Sequence, residues 1–400
     1  MKQTILAGIF ASVMVAGLVF SPTLIGSPQS ANALNTEPVT DTGVTKHVTL
    51  IADENVVQVA PDNALHPGGV MYNAYTFNGS IPGPTVGIDE GDNLTITLVN
   101  EGELIHSYDF HAGIGPKKAL SFGDTESTSV NPGETRTGWL QGINAGSWLY
   151  HCGADSLNGV WEHIANGMYG TIVVHPQNEQ PAKEFAVVFS EIYNAADPGV
   201  FNEVNGTGSF DIGKFLNQDP DLILTNGMSF KYVPSIGSVS KLDLNPNATV
   251  FQVQPGEPTR WFITNPGPND GIAFHFISGQ QDVRDGYNVD ANDYGTVSLN
   301  DEAWWIPPGS SSVIETTFPD EGIYVAVDHN MADVVKGAAF AILATPNATD
   351  TDHPEGSWVP PLGSEYSGGD QQAQWIADQS AGGDTDDTSG GADTDESSEG

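Results

Sequence analysis

The segment Asn93-Leu-Thr-Ile-Thr-Leu-Val99 alternates apolar and polar residues with a period of two. Only an extended strand converts such a pattern into one apolar face and one wet face. Similar short apolar runs recur at Gly170-Thr-Ile-Val-Val174, Arg260-Trp-Phe-Ile-Thr264 and Gly337-Ala-Ala-Phe-Ala-Ile-Leu343, bounded by turn residues. With Gly 46 and Pro 26 to punctuate them, they predict many short strands packed as sandwiches or barrels. No convincing helical span stands out beyond the apolar run at the N-terminus.

The strand runs fall into two halves that echo one another. Asn78-Gly79 has a counterpart in Asn226-Gly227, and Pro132-Gly133 in Pro308-Gly309. Gly146-Ser-Trp-Leu-Tyr-His151 likewise matches Gly322-Ile-Tyr-Val-Ala-Val-Asp-His329. A length of 400 residues suits two or three domains. The repeat predicts two Greek-key β-sandwich domains, residues 46–177 and 184–347, after a short N-terminal extension over 34–45.

Both ends read differently. Lys2, the apolar run Thr4 to Phe20 and the small-residue site Ala31-Asn32-Ala33 have the form of a secretory signal over residues 1–33. Cleavage is the expectation and a retained membrane tether the alternative, and either puts the body outside the cytoplasm. Residues 348–400 hold 13 acids and no Lys or Arg, a composition that cannot bury enough apolar surface to fold alone; Trp358 and Trp375 are exceptions that could dock the early tail onto a neighbour. The formal net charge of −39 excludes a binder of nucleic acid or anionic membrane, both of which need basic patches. Without signal and tail the body still carries 38 acids and 11 bases, as a solvated surface suited to high salt would. A single Cys excludes an internal disulfide. Five N-x-Ser/Thr sequons (Asn78, Asn93, Asn205, Asn247, Asn347) and the acidity also admit a surface-layer protein, which has no use for the residues around that Cys.

Of ten His, His47, His66, His175 and His353 read as ordinary loop residues. The other six fall in three contexts: His106 with His111, His151 and His163 around Cys152, and His275 and His329 in the second half. His106 and His111 in His106-Ser-Tyr-Asp109-Phe-His111 point to opposite faces of a regular strand, as do the adjacent His151 and Cys152. One face therefore offers His106 and Cys152, the other His111 and His151 with Asp109 on their side. His163 and Met168 follow Cys152, and a thiolate, two imidazoles and a thioether are the ligands of a blue-copper electron-transfer site. The second face supplies only two imidazoles. His329 is the best remaining candidate for a third, and head-to-tail assembly of pseudo-symmetric domains offers a route to it from a neighbouring chain.

Phe77-Asn-Gly-Ser-Ile-Pro-Gly-Pro-Thr85 with Gly91-Asp92 is similar to the opening of cupredoxin domains in multicopper proteins. Together with Tyr150-His-Cys152, Trp161-Glu-His163, Gly167-Met168, His275-Phe-Ile277, Trp304-Trp-Ile-Pro307 and Asp328-His-Asn330, the chain resembles copper-containing nitrite reductase over most of residues 70–345. The resemblance implies type 1 copper on His106, Cys152, His163 and Met168. It implies type 2 copper on His111, His151 and His329, the last from the neighbouring subunit of a homotrimer. It further implies Asp109 and His275 as the catalytic proton-handling pair, Ile277 crowding the substrate and Glu302 in a position that orients the catalytic His. The reaction implied is one-electron reduction of nitrite to nitric oxide and water, with the electron arriving from a small blue copper protein or cytochrome. The loop from Cys152 to His163 is longer than the family's, and Ala303 stands where a hydroxyl residue is common. A laccase-like multicopper oxidase needs His-x-His pairs, which this chain lacks. A simple type 1 copper electron carrier explains Cys152 and Met168 but leaves His111, His151, His275 and His329 without a role.

Overall fold

The computed structural model describes residues 42–113, 129–141, 145–154, 159–195, 207–238, 241–245, 248–284, 294–354, 356–357 and 359. The signal over 1–33, most of the acidic tail, Trp358, Trp375 and the sequons at Asn205 and Asn247 lie outside these residues.

The fold is all-β, as the alternation predicts. The first half contributes β1 (Thr45–Ala60), β2 (Val70–Phe77), β3 (Val86–Asp89), β4 (Asn93–Asn100), β5 (Asp109–Phe110), β6 (Thr135–Gln141), β7 (Gly146–His151) and β8 (Tyr169–His175). The second contributes β9 (Lys183–Ile192), β10 (Thr207–Gly208), β11 (Leu222–Thr225), β12 (Ser235–Ser238), β13 (Lys241–Leu244), β14 (Phe251–Val253), β15 (Thr259–Gly267) and β16 (Ile272–Ile277). It continues with β17 (Gln281–Val283), β18 (Ser298–Asp301), β19 (Trp304–Ile306), β20 (Ser310–Thr316), β21 (Gly322–Asp328) and β22 (Ala339–Ala344). Two sheets, ordered β10-β2-β1-β4-β6 and β3-β8-β7-β5, enclose one core that includes Leu50, Leu94, Ile96, Phe110, Tyr150 and Ile172. Two more, β11-β9-β15-β20-β17-β18 and β14-β22-β21-β16-β19, enclose a second core around Trp261, Phe274 and Phe340. These are two cupredoxin-like sandwiches.

Where one face of a strand meets water the period of two survives. In β4 the burial alternates strictly, with Leu94, Ile96 and Leu98 inside. In β8 and β15 every residue is buried, because the outer faces of these strands meet each other. Ala145, Val173, Ala186, Phe262 and Val313 form one cluster there. A chain of hydroxyls, Thr171 to Thr264 (2.8 Å), Thr264 to Ser311 (2.8 Å) and Ser311 to Ser147 (2.5 Å), links the two halves.

The expectation of no helix needs correcting. Three short helices occur among the described residues: α1 (Val160–Ala165), α2 (Ile212–Asn217) and α3 (Met331–Val334). Each is too short to persist alone or to show a full helical period in sequence. Asp211 caps α2, its carboxylate accepting from the N–H groups of Gly213 (2.8 Å) and Lys214 (3.0 Å). No helix among the described residues is long and apolar enough to cross a membrane.

The echo between halves extends to individual hydrogen bonds. Asn78 (φ 57°) and Asn226 (φ 46°) both adopt the left-handed conformation. The Asn78 side chain accepts from Ile51 N (3.0 Å) and donates to Thr49 O (3.3 Å); Asn226 accepts from Val188 N (2.7 Å) and donates to Ala186 O (3.0 Å). Gly133 donates to Asn100 O, and Gly309 to Asn265 O, both at 2.8 Å.

Candidate metal centres

Cys152 follows β7 directly and is fully buried. Its thiol lies 3.3 Å from His163 Nδ1 and 3.9 Å from His106 Nδ1. One ligand atom from each of the three sits within 4.8 Å of the others. Three elements deliver them. His106 forms an isolated bridge with Val130, Cys152 comes immediately after β7, and His163 rides on α1. Met168 is wholly buried in the same core, and its carbonyl accepts from Cys152 N at 3.0 Å.

The surroundings suit a cation-bound thiolate. Burial lifts the Cys152 thiol to about 11, while the N–H groups of Ser107 (3.3 Å) and Ala154 (3.4 Å) donate to the sulfur and oppose the rise. Burial, then the neighbouring His106, brings His163 down to about 4. Burial also lowers His106, against the pull of Glu54. Neutral imidazoles and a thiol aided by two backbone donors are a ready set for a metal that displaces the thiol proton. Two nitrogens, one sulfur and a nearby thioether fit copper.

The second group starts on the other side of the His151–Cys152 peptide bond. His151 pairs across the sheet with Asp109, and His111 follows β5. The Nε2 atoms of His111 and His151 face each other at 3.1 Å. His151 Nδ1 donates to Cys152 O at 2.9 Å, which leaves its Nε2 lone pair free. Burial and then the adjacent His151 push His111 down to about 4, against Asp109 and a hydrogen bond from the ring to the backbone carbonyl of Gly309. Burial raises the Asp109 carboxyl above its ordinary range, opposed by His111. Two converging lone pairs beside a carboxylate also fit a metal with an open position. The strand-parity grouping thus matches the clusters, although regular strand covers only Asp109 and Phe110 of that segment.

His329 does not join His111 and His151 within the chain. It is exposed just beyond β21, held by its N–H to Ala273 O at 2.8 Å, with its ring 5.5 Å from that of His275. His275 sits on β16 with its Nδ1 on the main-chain carbonyl of Glu302. The expected orienting contact is thus made by the Glu302 backbone, not its side chain. Ile277 lies two residues along β16 on the same face as His275 and is 45% exposed.

Two readings of single residues change. His47 lies in β1 and His175 ends β8, so neither is a loop residue. His175 is buried against Glu179 (3.0 Å) and Glu184 (3.9 Å), a group with metal-like spacing. The Arg260 guanidinium already supplies the cation there, at 3.1 Å from Glu179 and 2.8 Å from both Glu184 and Glu315. That knot is electrostatic and structural. Sequence reading also missed Glu54, whose Oε1 lies 2.7 Å from His106 Nε2. The signal for it was positional: Val48, Leu50 and Ala52 are the buried face of β1, and Glu54 is the next residue on that face.

Two sandwiches with a buried Cys-His-His group and an adjoining His pair define a cupredoxin-type copper protein. A family model described as multicopper oxidase matches residues 58–179. The copper-containing nitrite reductase of Neorhizobium galegae is 30% identical over 277 residues, 68% of this chain and 69% of that protein. That of Neisseria gonorrhoeae is 30% identical over 291 residues, 71% of this chain, and the match spans 66% of the relative's own length. Among solved structures, copper nitrite reductase from Nitrosomonas europaea superposes with a TM-score of 0.61 at 31% identity, covering 76% of this chain and 96% of that one. The chain belongs to the copper-containing nitrite reductase family.

Proposed function

We propose that the protein reduces nitrite to nitric oxide and water, taking up one electron and two protons per turnover. The observation that carries this reading is the pairing of two donor groups on either side of one peptide bond, with His151 in one and Cys152 in the other. In this reading His106, Cys152, His163 and Met168 hold type 1 copper, and His111, His151 and a neighbouring subunit's copy of His329 hold type 2 copper, two ions per chain. When bound, copper supplies one-electron redox chemistry at the first group and a Lewis-acidic seat for nitrite at the second.

The chain's own residues do the rest. The His151–Cys152 peptide is the shortest covalent link between the groups. Asp109, facing His151 across the sheet, is placed to hand a proton to a nitrite oxygen. His275 commits Nδ1 to the Glu302 carbonyl, so its Nε2 is the nitrogen left to carry the second proton. Ile277 narrows the space on that face. The exposure of His329 and its separation from His111 and His151 support completion of the site by a second copy in a homotrimer. The domains are proposed as 46–177 and 184–347, the location as extracytoplasmic after removal of 1–33, and the donor as a small blue copper protein or cytochrome.

Copper analysis with electron spin resonance and a nitrite-to-nitric-oxide assay tests the reading. Two coppers per chain, one of each type, with nitric oxide formed are expected; one copper without turnover makes the protein an electron carrier, and four make it an oxidase. His329→Ala should lose only the type 2 signal and all turnover while the visible colour survives.

A further inference from the structure

We propose that Glu54 is the positioning residue of the first copper centre, fixing the tautomer of His106 and thereby aiming Nδ1 at the metal. The inference rests on the copper reading of His106, Cys152 and His163. His106 is fully buried, and its outer nitrogen, Nε2, meets Glu54 Oε1 at 2.7 Å. The carboxylate is itself held by backbone donors, Glu103 N to Oε2 at 2.7 Å and Leu104 N to Oε1 at 3.3 Å. A group surrounded by donors acts as an acceptor, so the proton between Glu54 and His106 belongs to Nε2. Nδ1 is then left with its lone pair toward Cys152 Sγ. The seat is shaped for the carboxylate: a Cβ at Gly102 would meet its atoms at 2.7–3.0 Å. Tyr75, the cross-strand partner of Glu54, closes the same side with its ring 6.2 Å from His106 and 5.0 Å from His163.

A carboxylate behind a ligating imidazole does two separable things. It locks the ring's orientation, and its charge favours the more positive, oxidised state of the metal. Glu54→Gln keeps an acceptor without the charge, and Glu54→Ala removes both. In the full-length apo-protein, nitrogen NMR of labelled His should show His106 as the Nε2–H tautomer in the wild type and in Glu54→Gln, with the bias lost in Glu54→Ala. After copper loading, both variants should show a more positive type 1 potential. Glu54→Ala should also bind type 1 copper about 10- to 100-fold more weakly, while an unchanged type 2 signal certifies the fold. A wild-type chain that takes up type 1 copper, with variants unchanged in potential and tautomer, overturns the role of Glu54 alone. A wild-type chain that takes up no type 1 copper overturns the copper reading beneath it and the role together.

Discussion

At the scale of single residues, both donor groups are built by neighbours that leave little room. Gly102→Ala would push a methyl group into the Glu54 carboxylate. It should cost about 1–3 kcal/mol of stability, as overpacking does, measured by urea unfolding, and should broaden the visible band of the copper-loaded protein. Asp109→Asn should retain both coppers, counted by metal analysis, and lose most nitrite turnover; undiminished turnover would dismiss its proton role. The donor residues were legible in sequence because residue type names their chemistry and strand parity sorts their faces. Glu54 was not, since it lies 52 positions from His106 and only the approach of β1 to the segment after β4 brings them together. His175 was misread for a related reason: its partner Glu184 lies on β9 in the other half, where Arg260 holds it in turn.

At the scale of elements, the repeated Asn-Gly turns were legible because each dipeptide carries its own backbone geometry, and the structure adds that both side chains tie two backbone groups. Asn226 is the more buried of the pair. Asn226→Ala should strand Val188 N and Ala186 O at about 1–3 kcal/mol for each unpaired group, while Asn78→Ala should cost less than half as much by thermal unfolding. On β9, burial lifts Glu191 to about 7, against hydrogen bonds from the N–H groups of Asn269 and Asp270. A carboxyl raised in the folded state favours folding below its ordinary value, near 4.5, and that contribution is lost as pH climbs through 7. At about 1.4 kcal/mol per pKa unit it amounts to roughly 3 kcal/mol. Glu191→Gln should therefore flatten the fall in stability between those two pH values, read from unfolding midpoints at each pH.

At the scale of the whole molecule, a formal charge of −39 makes self-repulsion a global term. The screening length shrinks from about 30 Å at 0.01 M salt to about 3 Å at 1 M, so the unfolding temperature should rise with salt over that range; a flat response would mean the acids are neutralised locally. The two halves also share a deeper likeness than their turns. Cys152 Sγ accepts from Ser107 N and Ala154 N, and in the second half Asp328 Oδ1 accepts from Ala273 N and Asn330 N, both at 2.9 Å. Cys152 N donates to Met168 O and Met168 N to His163 O, just as Asp328 N donates to Ala338 O and Ala338 N to Asp333 O. Asp328 thus occupies the cradle of a cysteine, and Asp333 the place of a histidine. The backbone frame that holds the thiol is therefore repeated in the second half, where it holds a carboxylate in place of the sulfur. His329, one residue beyond Asp328, is the side chain that this second frame leaves exposed to a neighbour.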